Sequence, residues 1–248
     1  MSSTVETGHA KNVATFEDLI GFCNAYGAPY NPKKPVLKLP ALIAQHKAAN
    51  VTLLAVKDAK TAHDKATNAR EIAFKPLRQL ATKVVSALAA SDVISQTVDD
   101  ARSTNMKIQG RRVKALKKQV VVAGADAPAP VRTSSTSQQS FDKMVDHLTQ
   151  LVSTVSAEPE YDPNERELSV PTLNAVIADL RAKNSAVIAT TATVSNARIA
   201  RDRALYADVS GLIDTANGVK QYVKSLFGSN SLEYKQVSKL KFLNRSLE

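Results

Sequence analysis

Apolar positions recur along this chain at helical spacing, and in two stretches the recurrence has a period of seven. Leu42, Ala49, Val56, His63 and Arg70 form one row, with His46, Leu53, Lys60, Thr67 and Phe74 as its companion. A second stretch repeats the pattern with Leu173, Leu180, Val187, Val194 and Arg201, beside Ile177, Asn184, Thr191, Arg198 and Leu205. Rows of this kind predict two long helices with coiled-coil-like seams, interrupted by several polar residues. Pro40 and Pro171 suit their opening turns, and the pattern runs to about Phe74 and Tyr206. At 1.5 Å rise per residue each helix is roughly 50 Å long.

Shorter amphipathic stretches flank the long ones. Thr15, with Asp18 three residues on, reads as a variant capping box that starts a helix near Phe16 and stops by Gly27. Its counterpart runs from about Phe141 to Ser156. A third helix, about 76–90, puts Leu77, Leu80, Ala81, Val84, Val85 and Leu88 on one face. The matching stretch, about 209–227, carries Leu212, Ala216, Val219, Val223 and Leu226 and closes at Gly228. A fourth helix follows Ser91-Asp92 in one case and Ser229-Asn230-Ser231 in the other, with Asn230 and Glu233 as start signals.

These elements occur twice in the same order. An offset of 131 residues carries Tyr30 to Tyr161, Pro32 to Pro163, Pro40 to Pro171, Leu42 to Leu173, Val56 to Val187 and Arg70 to Arg201. With a shifted register, "KVVSALAASD" at 83–92 matches "QYVKSLFGSN" at 221–230. The expected organisation is therefore a disordered tail over 1–14, a helical repeat over 15–118, a linker over 119–139 and a second repeat over 140–248. The linker is rich in Ala, Pro, Ser, Thr and Gln. The expected fold is all-α: two duplicated units of about four helices each, one long and three shorter, of four-helix-bundle type.

At "YNP" and "YDP", "NAREIAF", "SNARIARDRALY" and "YKQVSKLKF" the chain resembles a family of uncharacterised bacterial proteins with a tandem, helix-only layout and a Pro/Ser-rich centre. That resemblance implies an all-helical fold and carries no activity or site residue with it.

Composition changes this picture little. Ala, Val and Leu dominate the apolar fraction, aromatics are 5% and Trp is absent, which favours helices. The 33 basic residues exceed the 23 acidic ones, and the resulting charge of +10 favours anionic partners. The excess is sharpest over 102–118, where Arg102, Lys107, Arg111, Arg112, Lys114, Lys117 and Lys118 meet no acid between Asp100 and Asp126. If the helix runs on past Gly110 this becomes a basic arm able to neutralise phosphates, although no aromatics are interleaved for base stacking. The second repeat also ends basic, through Lys239, Lys241 and Arg245.

Candidate chemistry is sparse. The glycines form no phosphate-binding loop, and no zinc, zincin or nucleophile-elbow motif is present. Glu6 and His9 have the spacing of a di-iron ligand pair only once, which chance explains. His46 and His63 lie on the seam of the long helix, more than four turns apart, and are read as packing residues; His147 is read as solvated. The lone Cys23 sits among apolar neighbours, as a small buried hydrophobe does. Tyr30 and Tyr161 sit beside Pro and are expected to anchor their loops.

Arg70 and Arg201, each followed by an acid, are read as a duplicated structural clasp. Their expected partners are Asp99 or Asp100 for Arg70, and Asp214 or Glu233 for Arg201. No metal or cofactor is implied, and no stretch reaches the ~20 apolar residues of a membrane span. The expectation is a cytoplasmic, non-enzymatic helical scaffold with a protein partner or self-association. The alternative is a nonspecific nucleic-acid binder using the 102–118 arm. A catalytic site assembled only in three dimensions stays open.

Overall fold

The computed structural model describes residues 4–110 and 139–243, and all regular structure among them is helical. In chain order the α-helices are α1 (Thr4–Ala25), α2 (Leu39–Phe74), α3 (Leu77–Ala89), α4 (Ser95–Ile108), α5 (Phe141–Ser156), α6 (Val170–Tyr206), α7 (Leu212–Phe227) and α8 (Leu232–Ser238). One 3₁₀ turn, Pro35–Leu37, precedes α2, and another, Arg166–Leu168, precedes α6.

Local chemistry accounts for the ends. Ser140 caps α5 by accepting the Lys143 N–H at 3.2 Å, with Asp142 in the first turn. Ser231 caps α8 in the same way through Tyr234, and Glu233 sits in its first turn. Gly228 ends α7 with φ of 91°, a conformation that costs a residue with a Cβ. The turn from α6 into α7 is tighter. A Cβ on Gly211 would lie 2.5 Å from the Ala207 carbonyl, so only glycine fits. Val209 there has φ of 67°, a strained state for a β-branched residue, and Asp214 steadies it by accepting the Val209 N–H.

The chain divides into two compact units that cut across the sequence halves. The first comprises Met1–Asp64 with Ala189–Glu248, and the second comprises Lys65–Ile188. The first unit thus holds α1, most of α2, the end of α6, α7 and α8; the second holds the end of α2, α3, α4, α5 and the start of α6.

In the first unit, Val13, Phe16, Leu19 and Cys23 of α1 share a core with Leu42 and Ala49 of α2, Leu205 of α6, and Ala216, Val219 and Val223 of α7. In the second, Val145, Leu148, Val152 and Val155 of α5 meet Leu77, Ala81, Val84 and Leu88 of α3, Val98 and Ala101 of α4, and Leu173 and Ile177 of α6.

The rows at seven-residue spacing are buried largely as the pattern requires. Leu42, Ala49, Val56, Leu173, Leu180, Val187, Val194 and Arg201 are all buried, while Lys60, Thr191 and Arg198 of the companion rows are exposed.

Two expectations need correction. Residues 4–14 are helical, not a disordered tail, and Thr15 lies inside α1 instead of capping it. The cause is a polar anchor. The Asn12 amide donates to the Leu243 carbonyl and accepts the Leu243 N–H, both at 2.9 Å, and also reaches the Tyr206 hydroxyl. His9 Nδ1 lies 2.7 Å from that same hydroxyl. Buried polar groups satisfied this way hold a helix whose N-terminal turns look featureless by hydropathy. The second correction concerns α4, which ends at Ile108. Gly110 follows with φ of 73° and the Gln139 side chain against it, so α4 itself stops short of the expected arm, whose residues 111–118 lie outside the described ones.

Candidate functional site

Two loops of matching build lead into the long helices. In the first unit the Tyr30 hydroxyl donates to the Leu37 carbonyl at 2.7 Å. In the second the Tyr161 hydroxyl donates to the Leu168 carbonyl at 2.9 Å. Each ring is buried and each bond spans the same seven residues, so the 3₁₀ turn is strapped onto the core by the tyrosine at its head. Burial pushes the Tyr161 phenol up to about 12, raises Tyr30 further, and leaves both as fixed donors. The loop role expected for these tyrosines is what the geometry shows. Cys23 lies beside Tyr30, and burial pushes its thiol up to about 11, the state of a packed and unreactive cysteine.

The straps match but the surfaces over them do not. The first loop exposes Lys33, Lys34 and Lys38 and no acid. The second exposes Asp162, Glu165 and Glu167 with a single Arg166. Beside this acidic loop, within the second unit, α3 forms one wall of an open cleft of about 660 Å³. Thr82, Lys83, Ser86 and Ser91 face Asp162, Asn164, Glu165 and Glu167 across it. Lys83 Nζ bridges the cleft to Glu167 Oε1 at 2.6 Å. Both ends of that pair are exposed, so it contributes little to stability and remains open to exchange for another charged partner.

The arginines of the expected clasp are placed differently from one another. Arg70 stacks its guanidinium 4.0 Å from the centroid of the Phe141 ring, which in turn meets Phe74 edge-on at 4.7 Å. Arg201 is 4% exposed and bonds the carboxylate of its neighbour Asp202 through Nε and Nη2, at 2.9 and 2.8 Å. Expected acids are engaged elsewhere: Asp99 pairs with Arg102, and Asp214 accepts from Val209. Arg70 therefore uses a ring where an acid was anticipated. The sequence signal for this was the aromatic at Phe141, one residue after a helix cap.

The histidines take three settings. His46 Nε2 lies 3.1 Å from the Asn50 amide and 3.8 Å from Glu17, while His63 Nδ1 lies 3.3 Å from the Thr190 hydroxyl. Both sit at helix contacts. His147 is not the solvated residue expected on α5: its Nε2 is buried without a hydrogen-bond partner. Burial lowers its pKa, Lys107 and Lys143 lower it further, and Asp146 opposes them. No three His, Cys, Asp or Glu side chains gather into a metal-binding group among the described residues.

Of the basic cluster, Arg102 is paired at 2.9 Å with Asp99, and Lys107 lies on α4, with its carbonyl accepting from Gln139. Arg111, Arg112, Lys114, Lys117 and Lys118 lie outside the described residues, as do Arg245 and all but the last residue of the expected linker. Lys239 closes α8 and Lys241 follows it.

Fold and loops together define an all-helical protein of two compact units, with no helix among the described residues long and apolar enough to cross a membrane. No protein-family model, curated protein or solved structure matches the chain.

Proposed function

We propose that this chain is a non-enzymatic helical scaffold, an internal duplication that offers two versions of one docking loop to protein partners. The observation that carries the reading is the contrast between the loops. Their buried straps, Tyr30 to Leu37 and Tyr161 to Leu168, are the same bond at the same spacing, whereas the solvent-facing residues above them have opposite charge. A framework kept constant beneath a surface that differs is how one fold supplies two specificities, because charge complementarity selects partners while the core sets shape.

The makeup of the units supports the duplication. The first is built from α1, a 3₁₀ turn, the start of one long helix, the end of the other, α7 and α8. The second uses α5, a 3₁₀ turn, and the corresponding pieces with α3 and α4.

Affinity capture with the full chain tests the proposal, using wild type beside two charge-reversed variants. One is Lys33→Glu/Lys34→Glu/Lys38→Glu, and the other is Asp162→Lys/Glu165→Lys/Glu167→Lys. The expected result is a bound protein lost selectively with one loop and released by salt. A capture profile indifferent to both reversals would count against the reading.

A second reading, sequence-nonspecific nucleic-acid binding, is favoured by the acid-free basic run that begins at Arg102. Its signature is affinity that falls steeply with salt and disappears when Arg111, Arg112, Lys117 and Lys118 are reversed to Glu.

A further inference from the structure

The start of α2 carries a second row of seam positions that nothing among the described residues covers. Ala44, Lys47, Val51, Leu54, Asp58 and Thr61 follow one another at alternating spacings of three and four residues, and every one is exposed. Ile43 flanks the row. Ile43, Val51 and Leu54 expose 55%, 58% and 58% of their surface, three large aliphatic side chains within about three turns of one helix. The row is distinct from the buried one of Leu42, Ala49 and Val56.

The fold does not require this apolar bulk. At the 131-residue offset, α6 has Ala178, Ala182, Ser185 and Ala189 where α2 has Lys47, Val51, Leu54 and Asp58.

We infer that two copies of this chain associate through this face of α2, antiparallel, about a twofold axis between Thr52 and Leu53. The charges select both orientation and register. Setting Val51 opposite Leu54 of the second copy sets Leu54 opposite Val51 in return, as an isologous interface requires. The same register brings Lys47 opposite Asp58 and Ala44 opposite Thr61. Each layer then joins one position of the heptad seam to the other kind, and both ionisable layers pair opposite signs.

A parallel pair in register would stack Lys47 on Lys47 and Asp58 on Asp58, which like-charge repulsion disfavours. Neither Lys47 nor Asp58 has an ion-pair partner among the described residues, so both are available. The seam is short, at or below the roughly 1,200 Å² where stable interfaces begin, so association depends on concentration.

Sedimentation equilibrium of the full chain across the micromolar range tests this. The weight-average mass is expected to rise towards that of a dimer. Leu54→Asp should hold the protein monomeric with an unchanged helical spectrum, and at concentrations where the wild type is itself monomeric its melting curve should match, since that side chain is exposed. Lys47→Glu and Asp58→Lys should each weaken association by about tenfold. Combining them should restore it to within about threefold of wild type, which is a coupling that a change in folding alone does not produce.

A wild type monomeric throughout, a dimer indifferent to Leu54→Asp, or a double variant no tighter than the singles would each overturn the inference. The loop reversals change no residue of this face, so reversals that abolish capture while self-association persists, or the converse, separate this inference from the proposed function.

Discussion

Tyr30 and Tyr161 are the residues on which the loops depend. Replacing either by Phe keeps the ring and leaves a buried carbonyl, on Leu37 or Leu168, without its donor. Each substitution should cost about 1–2 kcal/mol in chemical denaturation, and loop charge reversals should cost far less. His147 gives a pH dependence whose sign follows from its lowered folded-state pKa. The unfolded chain, with an ordinary histidine near 6.5, then binds more protons than the folded one as pH falls. Stability should be fully present above about 6.5 and should decline below it until the folded-state pKa is passed. His147→Gln should flatten that decline in urea midpoints measured between neutral and mildly acidic buffer. The tyrosines were legible from the chain, because each stood beside Pro in a matching place. His147 was not, because its setting depends on α4 packing against α5 and bringing Lys107 near it, which no local pattern announces.

Among the elements, the long helices were written most clearly, since a row sustained over five heptad positions averages out its polar interruptions. The first helix was half missed for the opposite reason. Its inward face reads His9, Asn12, Val13, Phe16, Leu19 and Cys23, a helical spacing whose first members are polar. Hydropathy discounts such residues, although polar groups with buried partners can occupy a core face. Asn12 ties α1 to the chain's C-terminal segment, and Lys220 assists by donating to the Leu240 carbonyl. Asn12→Ala should therefore lower stability by about 1–3 kcal/mol. It should also abolish amide-exchange protection at Leu243, where a loss confined to α1 would point to a different anchor. The clasp arginines follow the same lesson. Position and dipole marked Arg70 and Arg201, but packing decides that Arg70 meets the distant Phe141 ring while Arg201 turns to the acid beside it.

At the scale of the whole molecule, the repeats expected from sequence and the compact units divide the chain differently. The expected repeats would divide it near the middle. Packing instead groups α1 with α7 and α8, and α5 with α3 and α4. A sequence pattern reports each element locally, whereas contact is decided by which apolar faces meet, so the grouping of helices into units leaves no local signal. Each half then carries incomplete cores: residues 1–118 hold α1 without α7, and residues 140–248 hold α5 without α3 or α4. The direct measurement is sedimentation and thermal melting of the two halves expressed separately and then mixed. The exchanged packing predicts that neither half folds as a monomer, and that mixing gives a one-to-one complex with a cooperative melt and gained helicity. Either half melting cooperatively as a folded monomer would contradict it.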